Sequence, residues 1–133
     1  MTGITALLLF AAWTLLLMLT YVTYRTAQVA QGKPADSWTR GRAAPVPSFV
    51  ARAEHAHANC VENLPVLAAI VLAASALGQP AVADGAAPYV LYARLAQSGV
   101  HLFGVSHWLV QLRAVFYTVQ VVLFFYMIWA LLP

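Results

Sequence analysis

Long uncharged stretches separated by polar connections dominate the pattern of hydrophobic and polar positions along this chain. The hydrocarbon core of a bilayer is about 30 Å thick, and a helix needs about 20 apolar residues to cross it. Three stretches reach that length without a charge, and the third of four is weaker because Arg94, His101 and His107 interrupt it. The uncharged or nearly uncharged stretches are residues 2–24, 63–83, 88–112 and 114–133. Because the second pattern reaches back through polar positions, the predicted helices cover about 3–28, 48–78, 87–108 and 111–132.

Four helices of this length leave room for one real loop, residues 26–47, and two short turns. Residues 78–80 and 84–85 predict the second connection, and residues 104–111 contain the third. The sequence therefore predicts an all-α protein, a four-helix bundle with up-down topology that forms a single domain over residues 1–133. The long loop cannot hold a fifth helix because it contains the helix breakers Gly32, Pro34, Gly41, Pro45 and Pro47.

Composition places this bundle in a membrane. Hydrophobic residues make up 62% of the chain and charged residues 8%, whereas a soluble domain has about 45–50% and about 25%. Four acidic and seven basic residues cannot cover the surface of a soluble particle. An ordinary soluble enzyme and a disordered tail are thereby excluded, and no cluster of basic residues is dense enough to follow a nucleic-acid backbone. We predict an integral membrane protein that contacts lipids and has no nucleic-acid partner.

The distribution of basic residues predicts how the bundle is oriented. Short loops rich in Lys and Arg stay on the cytoplasmic side of a membrane. Both chain ends should then face away from the cytoplasm, in a multi-pass protein that, in a bacterium, would occupy the inner membrane. The first helix does not have the pattern of a signal peptide, because it lacks a positively charged start and its apolar part is too long. The basic residues in question are Arg25, Lys33, Arg40, Arg42 and Arg52 at the first loop and Arg113 at the third connection.

A continuous polar stripe runs along the second predicted helix. At 100° per residue, Arg52, His55, Asn59 and Glu62 fall within an arc of about 80°, whereas Glu54 and His57 point elsewhere. Polar groups at membrane depth are costly, by about 2.5–3.5 kcal/mol for a charge. A stripe of this kind indicates a face turned toward other helices or a water-filled site. One interpretation is an internal ion pair of Glu62 with Arg52 or His55, and the other is a binding site.

The third and fourth helices repeat this polar pattern. Arg94, Gln97, Ser98 and His101 share one face of the third helix, and Arg113 is expected to open the fourth, with Tyr117 one turn later. Arginines hold carboxylates through two parallel hydrogen bonds, and a glutamate accepts an ammonium group. The three faces together favour an anionic polar ligand that enters from the cytoplasmic interface.

Cysteine and histidine allow two further interpretations. Cys60 is the sole cysteine, so an intrachain disulfide is excluded, and a small buried apolar role is favoured over a nucleophilic one. The histidines could ligate haem or a metal across helices, as in four-helix electron carriers. His55 and His57, however, point about 200° apart on one helix. We therefore predict no metal site, and a visible absorption spectrum tests that prediction.

The segment from Arg52 to Pro65 resembles the second-helix signature of the MAPEG family, the membrane-associated proteins of eicosanoid and glutathione metabolism. That family includes microsomal glutathione transferases, leukotriene synthases and prostaglandin E synthase, and this chain looks like a bacterial-type member. The resemblance covers essentially the whole chain, since four helices and a long first loop also agree. It implies a homotrimer of four-helix subunits with glutathione bound between neighbouring subunits near the cytoplasmic face. The matching residues are Arg52, His57, Asn59, Glu62, Asn63 and Pro65.

The resemblance also implies roles for individual residues. Asn59 and Glu62 match the residues of the family that contact glutathione, and Arg94 matches its third-helix arginine. Arg113 matches the arginine that is thought to stabilise the glutathione thiolate. His55 stands where family enzymes carry a second arginine, and His101 stands where a tyrosine usually approaches the ligand. The predicted glutathione-binding residues are Arg52, His55, Asn59, Glu62, Arg94, His101 and Tyr117, and the predicted catalytic residue is Arg113.

The function implied is a membrane-bound, glutathione-dependent transferase or peroxidase that uses glutathione as co-substrate against a hydrophobic electrophile. The electrophile would reach the sulfur sideways through the membrane, past aromatic side chains that could equally face lipid or the core. The alternative is a non-catalytic trimer of the same fold that binds a lipid or an anionic metabolite, which the histidines at positions 55 and 101 favour. The aromatic residues concerned are Phe103, Trp108, Phe116 and Phe124.

Overall fold

The computed structural model describes residues 1–39 and 44–133, and within those ranges the chain is helical without strands. Four long helices and one short 3-10 helix, Ala35–Trp38, follow one another. Gly41 and the basic residues Arg40 and Arg42, which entered the predictions for the first loop, lie outside the described residues. The four long helices are α1 (Gly3–Ala30), α2 (Ser48–Ala76), α3 (Pro80–Phe103) and α4 (His107–Leu131).

The connection after α2 is shorter than the sequence pattern predicts, and the connection after α3 comes earlier, because α3 ends at Phe103 instead of residue 108. α3 begins at Pro80 instead of residue 87, because proline fits the first helical position, where its missing N–H is not needed. The predicted turn at residues 84–85 is wrong, since these residues are helical and the Asp84 carboxylate accepts a hydrogen bond from the Gly3 N–H at 2.6 Å. α4 likewise begins at His107 instead of residue 111, after a connection of residues 104–106.

Contacts at both ends establish the up-down order of the helices. Near one end, Gly3 at the start of α1 meets Asp84 in the first turns of α3. Near the other end, Arg25 of α1 forms an ion pair of 2.8 Å with Glu54 of α2. α1 packs against α2 and α3, while α4 packs mainly against α3. The start of α1 and the end of α4 therefore lie at the end of the bundle opposite the long loop.

The core is built from small and apolar side chains that let the helices approach closely. Ala6, Ala56 and Ala87 are buried on three different helices and pack with larger residues such as Phe10 and Leu67. Small residues at helix contacts are typical of membrane bundles, in which lipid supplies no hydrophobic driving force between helices.

Three of the four helices are long and apolar enough to cross a membrane, within the part of the chain that the structure describes: α1, α2 and α4. α3 has 24 residues and is therefore long enough, but its most apolar stretch is less apolar than those of the other three helices, because a run of polar side chains occupies its inward face. On α4, Trp108 and Trp129 are 80% and 81% exposed. They lie about 31 Å apart along the helix, close to the thickness of a bilayer core, and tryptophan concentrates at both membrane interfaces.

The weak packing between α2 and α4 leaves an apolar cavity of about 570 Å³ near the end of the bundle where α2 ends. Pro65 and Ile70 of α2 and Leu131 of α4 are among the residues that line it. The contact between α2 and α4 is therefore only partly filled in this chain.

Candidate functional site

Four predicted site residues meet where the long-loop end of the bundle joins α2, α3 and α4. The rings of His55 on α2 and His101 on α3 have centroids 6.1 Å apart. Arg52, His55 and Arg113 all lie within electrostatic range of His101. His101 is itself buried, whereas His55 is exposed. The structure thus brings two histidines from α2 and α3 face to face, with Arg52 and Arg113 close enough to act on His101 through their charge.

Arg52 links the start of α2 to the end of α3. Its Nε donates a hydrogen bond of 2.9 Å to the backbone carbonyl of Leu102, one of the last carbonyls of α3, which have no partner within the helix. A basic side chain at a helix C-terminus satisfies such a carbonyl and interacts favourably with the helix dipole. Arg52 is therefore held at the C-terminal end of α3.

Arg113 lies deeper in α4 than the sequence predicts. Because α4 starts at His107, Arg113 comes six residues later, about 9 Å along the helix, and does not open it. Its side chain is half-buried, and its Nε is buried without a hydrogen-bond partner among the described residues. Arg113 therefore has one N–H donor, at Nε, that is not used within the described chain, about two turns after the start of α4.

The stripe on α2 lies along the outside of the subunit. The buried face of α2 includes Ala53, Ala56 and Cys60, whereas Asn59 is half-buried and Glu62 is exposed. No ion pair of Glu62 with Arg52 or His55 occurs in the described part of the chain, so the interpretation as an internal ion pair is not supported. The second predicted side chain on α4, Tyr117, is 46% exposed.

The two polar residues of α2 that lie off the stripe contact α1 instead. Glu54 accepts hydrogen bonds of 2.8 and 2.9 Å from Nη2 of Arg25. The His57 ring lies edge-on to Tyr21, with ring centroids 5.5 Å apart. These contacts agree with the helical projection, which turned both residues away from the stripe.

Arg94 is enclosed within a single subunit. Its side chain is 1% exposed, and its Cζ lies 5.5 Å from the centroid of the Phe10 ring. Nε and Nη2 are buried without a hydrogen-bond partner in the described chain. Glu62 and Tyr117 are within electrostatic range of this guanidinium. Arg94 therefore places a positive charge inside the bundle, within electrostatic range of Glu62 on the stripe of α2. Direct contact of Arg94 with glutathione stays a prediction.

A buried polar pair between α3 and α4 was missed by the sequence reasoning. Gln120 Nε2 donates hydrogen bonds to Gln97 Oε1 at 3.0 Å and to the Phe116 carbonyl at 2.9 Å. Gln97 was predicted to face inward. Its partner Gln120 was not predicted, because the candidate residues on the fourth helix were selected from its only charged residue, Arg113, and Gln120 is neutral. An amide in the middle of an apolar span is itself the signal that could have identified it.

Cys60 lies in the core and supports the structural interpretation of this residue. It is fully buried, and its Sγ lies 3.9 Å from the Ser98 hydroxyl. A substrate in the surrounding membrane cannot reach this sulfur in the observed packing. Among the described residues, no group of three or more His, Cys, Asp or Glu side chains is arranged to hold a metal ion.

Comparison with known proteins gives a match at the level of family. The model described as the MAPEG family matches residues 3–133. No curated protein and no solved structure gives a significant match. The match covers all four helices and every residue of the cluster described above.

Proposed function

The chain belongs to the MAPEG family, and from this premise we propose that it is a membrane-bound, glutathione-dependent transferase or peroxidase that acts on hydrophobic electrophiles. The observation that carries the proposal is the meeting of Arg52, His55, His101 and Arg113 at one end of three helices. Glutathione carries two carboxylates and one ammonium group, so a site of this charge is complementary to it.

The proposed binding site combines carboxylate donors with one ammonium acceptor. Arg52 and Arg113 would bind carboxylate and sulfur, since a guanidinium presents a rigid fork of N–H donors. Glu62 is the exposed carboxylate that would accept the ammonium, and Asn59 lies one turn before it. His55 and His101 would each contribute a single donor, with Tyr117 at the outer edge. Arg94 would act on the ligand through its charge, because Glu62 lies within its electrostatic range.

We propose that the complete site forms between subunits of a homotrimer. The stripe on α2 lies outside the single subunit, and a charged or amide side chain facing lipid is costly. A second copy packed against α2 would remove Glu62 from lipid and also fill the apolar cavity beside α4. Both features support a partner of the same fold, since one subunit cannot surround its own polar stripe.

The proposed chemistry is attack by a glutathione thiolate. A thiol pKa near 8.5 falls when a positive charge lies within a few ångströms of the sulfur, and the attraction is stronger where water is excluded. Arg113 would supply that charge from its position below the start of α4. The thiol proton would pass to water at the interface. The thiolate sulfur would then form a bond to the electrophilic carbon of an apolar substrate while the bond from that carbon to its leaving group breaks and the leaving group departs with the electron pair; with a hydroperoxide the sulfur would attack oxygen, the O–O bond would break, and a second glutathione would reduce the resulting sulfenic acid to the disulfide and water. The substrate would approach through lipid past Phe103 and Trp108, which are strongly exposed.

We further propose that α3 crosses the membrane with the other three helices. It is long enough, at about 36 Å, and three-residue connections join it to α2 and α4. The long loop and the cluster would then lie at the cytoplasmic face and both chain ends on the other side, in accordance with the positive-inside rule.

A titration of the bound thiol tests the function. With glutathione bound, thiolate absorbance in the ultraviolet should show ionisation at lower pH than that of free glutathione. Arg113→Ala should move the midpoint upward and slow conjugation of a hydrophobic electrophile, whereas Arg113→Lys, which keeps a charge, should move it less. Arg52→Ala should mainly weaken binding, because a carboxylate contact acts alike on thiol and thiolate.

One specific observation favours a second candidate, a non-catalytic trimer that binds a lipid or an anionic metabolite. His55 and His101 face each other at positions where a family enzyme would present an arginine and a tyrosine, and a histidine offers a carboxylate a single donor where an arginine offers a fork of donors. A wild-type protein that binds glutathione and leaves its thiol pKa unchanged would establish this candidate over the transferase.

A further inference from the structure

A second pocket, separate from the cluster on α2, α3 and α4, opens where α1 meets the first loop. Its volume is about 300 Å³. It lies between the end of α1 and the start of α2, two helices that are long and apolar enough to cross a membrane. The lining residues are Arg25, Thr26, Val29, Ala35, Trp38 and Thr39.

Aromatic rings and one acidic residue hold the basic side chains of this pocket in place. Arg25 is bound to Glu54 through two hydrogen bonds, and its Cζ lies 5.0 Å from the Tyr21 ring centroid and 5.9 Å from that of Trp38. Lys33 Nζ also lies over Trp38, at 5.4 Å. A cation within about 6 Å of an aromatic ring centroid is attracted by the negative face of the ring. The indole therefore positions two cations beside one cavity.

The pocket retains more hydrogen-bond donors than its own residues use. Lys33 Nζ forms no ion pair or hydrogen bond with the described residues. Arg25 Nε and Trp38 Nε1 are buried without a hydrogen-bond partner in the same part of the chain. Unsatisfied donors of this kind are costly, and an anionic oxygen is the acceptor that satisfies them best. The donor set therefore favours a ligand with several negatively charged oxygens.

The charge of this region fits the surface of an anionic membrane. Residues 25–54 carry five basic and two acidic side chains, so this segment accounts for the net charge of +3 of the whole chain. Tryptophan side chains favour the depth of the lipid headgroups, and basic residues close to an anionic leaflet gain about 1 kcal/mol each. We propose that the pocket lined by Arg25 and Trp38, with Lys33 held beside it on the Trp38 ring, binds the phosphate of an anionic phospholipid headgroup.

Native mass spectrometry of the detergent-purified full chain tests the proposal, with phosphatidylglycerol and phosphatidylcholine as probes. Wild type should bind phosphatidylglycerol more tightly than phosphatidylcholine. Lys33→Gln should weaken phosphatidylglycerol binding about fivefold, which corresponds to the roughly 1 kcal/mol of one basic residue near an anionic surface. Trp38→Leu, which removes the ring that holds both cations, should weaken it at least as much. Binding of phosphatidylcholine, whose choline cation offsets the charge of its phosphate, should fall less than that of phosphatidylglycerol in both variants.

A charge-matched control separates a built pocket from simple attraction. In Lys33→Gln/Gln31→Lys the loop regains its charge at an exposed position, two residues before the one whose side chain lies over the Trp38 ring. Continued weak binding in this double variant supports the pocket, whereas recovery to the wild-type level overturns it in favour of net charge. Equal binding of the two lipids also overturns the proposal. Displacement of phosphatidylglycerol by millimolar inorganic phosphate overturns the lipid assignment in favour of a soluble phosphate, and absence of displacement supports it.

Discussion

At the scale of single residues, helical spacing identified the inward face of α3 but not its partner. Arg94, Gln97, Ser98 and His101 were placed on one side by their intervals of three and four, and all four are buried. Spacing alone could not tell which side chain would meet them from another helix. Gln120, fully buried on α4, satisfies Gln97, and that contact depends on the rotation of α4 about its axis.

The Gln97–Gln120 hydrogen bond should make a measurable contribution to stability. Interhelical hydrogen bonds in membrane proteins have coupling energies of about 0.6 kcal/mol on average and up to about 1.7 kcal/mol. We expect Gln97→Leu to destabilise the bundle by that order, because it leaves the buried Gln120 amide with only the Phe116 carbonyl. Reversible unfolding in mixed detergent micelles provides the free energy of unfolding.

The double variant Gln97→Leu/Gln120→Leu is the matched control for this prediction. With both amides replaced by apolar groups of similar size, neither side chain is left unsatisfied, and the double variant should lose less than the sum of the single losses. Additive losses would show that the two amides contribute independently.

At the scale of helices, the sequence predicted how many there are and misplaced the start of two. Uncharged length predicted four helices because the bilayer sets the length of each span, and the structure has four within the described residues. The start of α3 was missed because Asp84 and Gly85 have the composition of a turn. Their helical conformation depends on a tertiary contact, the hydrogen bond from Gly3 to Asp84, which no local pattern contains.

The contact between α1 and α3 should be sensitive to a single methyl group. A Cβ added at Gly3 would lie 2.8 Å from the Cβ of Ala83 and 3.2 Å from its carbonyl carbon. Gly3→Ala should therefore destabilise the bundle by about 1–3 kcal/mol, the usual cost of overpacking. The same unfolding measurement in mixed micelles would detect it.

Gly85 provides the control on the same helix pair. A Cβ added there meets nothing within 4 Å, so Gly85→Ala should stabilise the helix by up to about 1 kcal/mol. Combining Gly3→Ala with Ala83→Gly should recover part of the loss, because the methyl group changes sides of the contact. A Gly3→Ala protein as stable as wild type would mean that α1 and α3 are less closely packed in the membrane.

At the scale of the whole molecule, family and membrane character followed from the sequence, while assembly stays a prediction. The family signature is confirmed over residues 3–133. The cluster of Arg52, His55, His101 and Arg113 could be anticipated only in part, because the depth of Arg113 depends on where the third connection ends. Whether the outward stripe is completed by another subunit is a property that one chain does not contain.

Mass in detergent tests the proposed trimer. After correction for bound detergent, the protein should have the mass of three chains of 14.4 kDa. Glu62→Ala should weaken association or glutathione binding and leave the unfolding of an isolated subunit nearly unchanged, because Glu62 is exposed in the single chain. A folded wild-type monomer at all protein concentrations would contradict the proposal that the stripe lies between subunits.

The polar face of α3 also has a consequence for biogenesis. A nascent helix partitions from the translocation channel into lipid according to its own hydrophobicity, and α3 has Arg94, Gln97 and Ser98 in its second half. α4, by contrast, is among the most apolar helices of the chain and follows α3 after three residues. If α3 crosses the membrane as proposed, it should remain in the translocation channel until α4 has been synthesised. The two helices should then enter the lipid together as a hairpin, with the Gln97–Gln120 hydrogen bond already formed. In this protein the least apolar helix would owe its insertion to the helix synthesised after it.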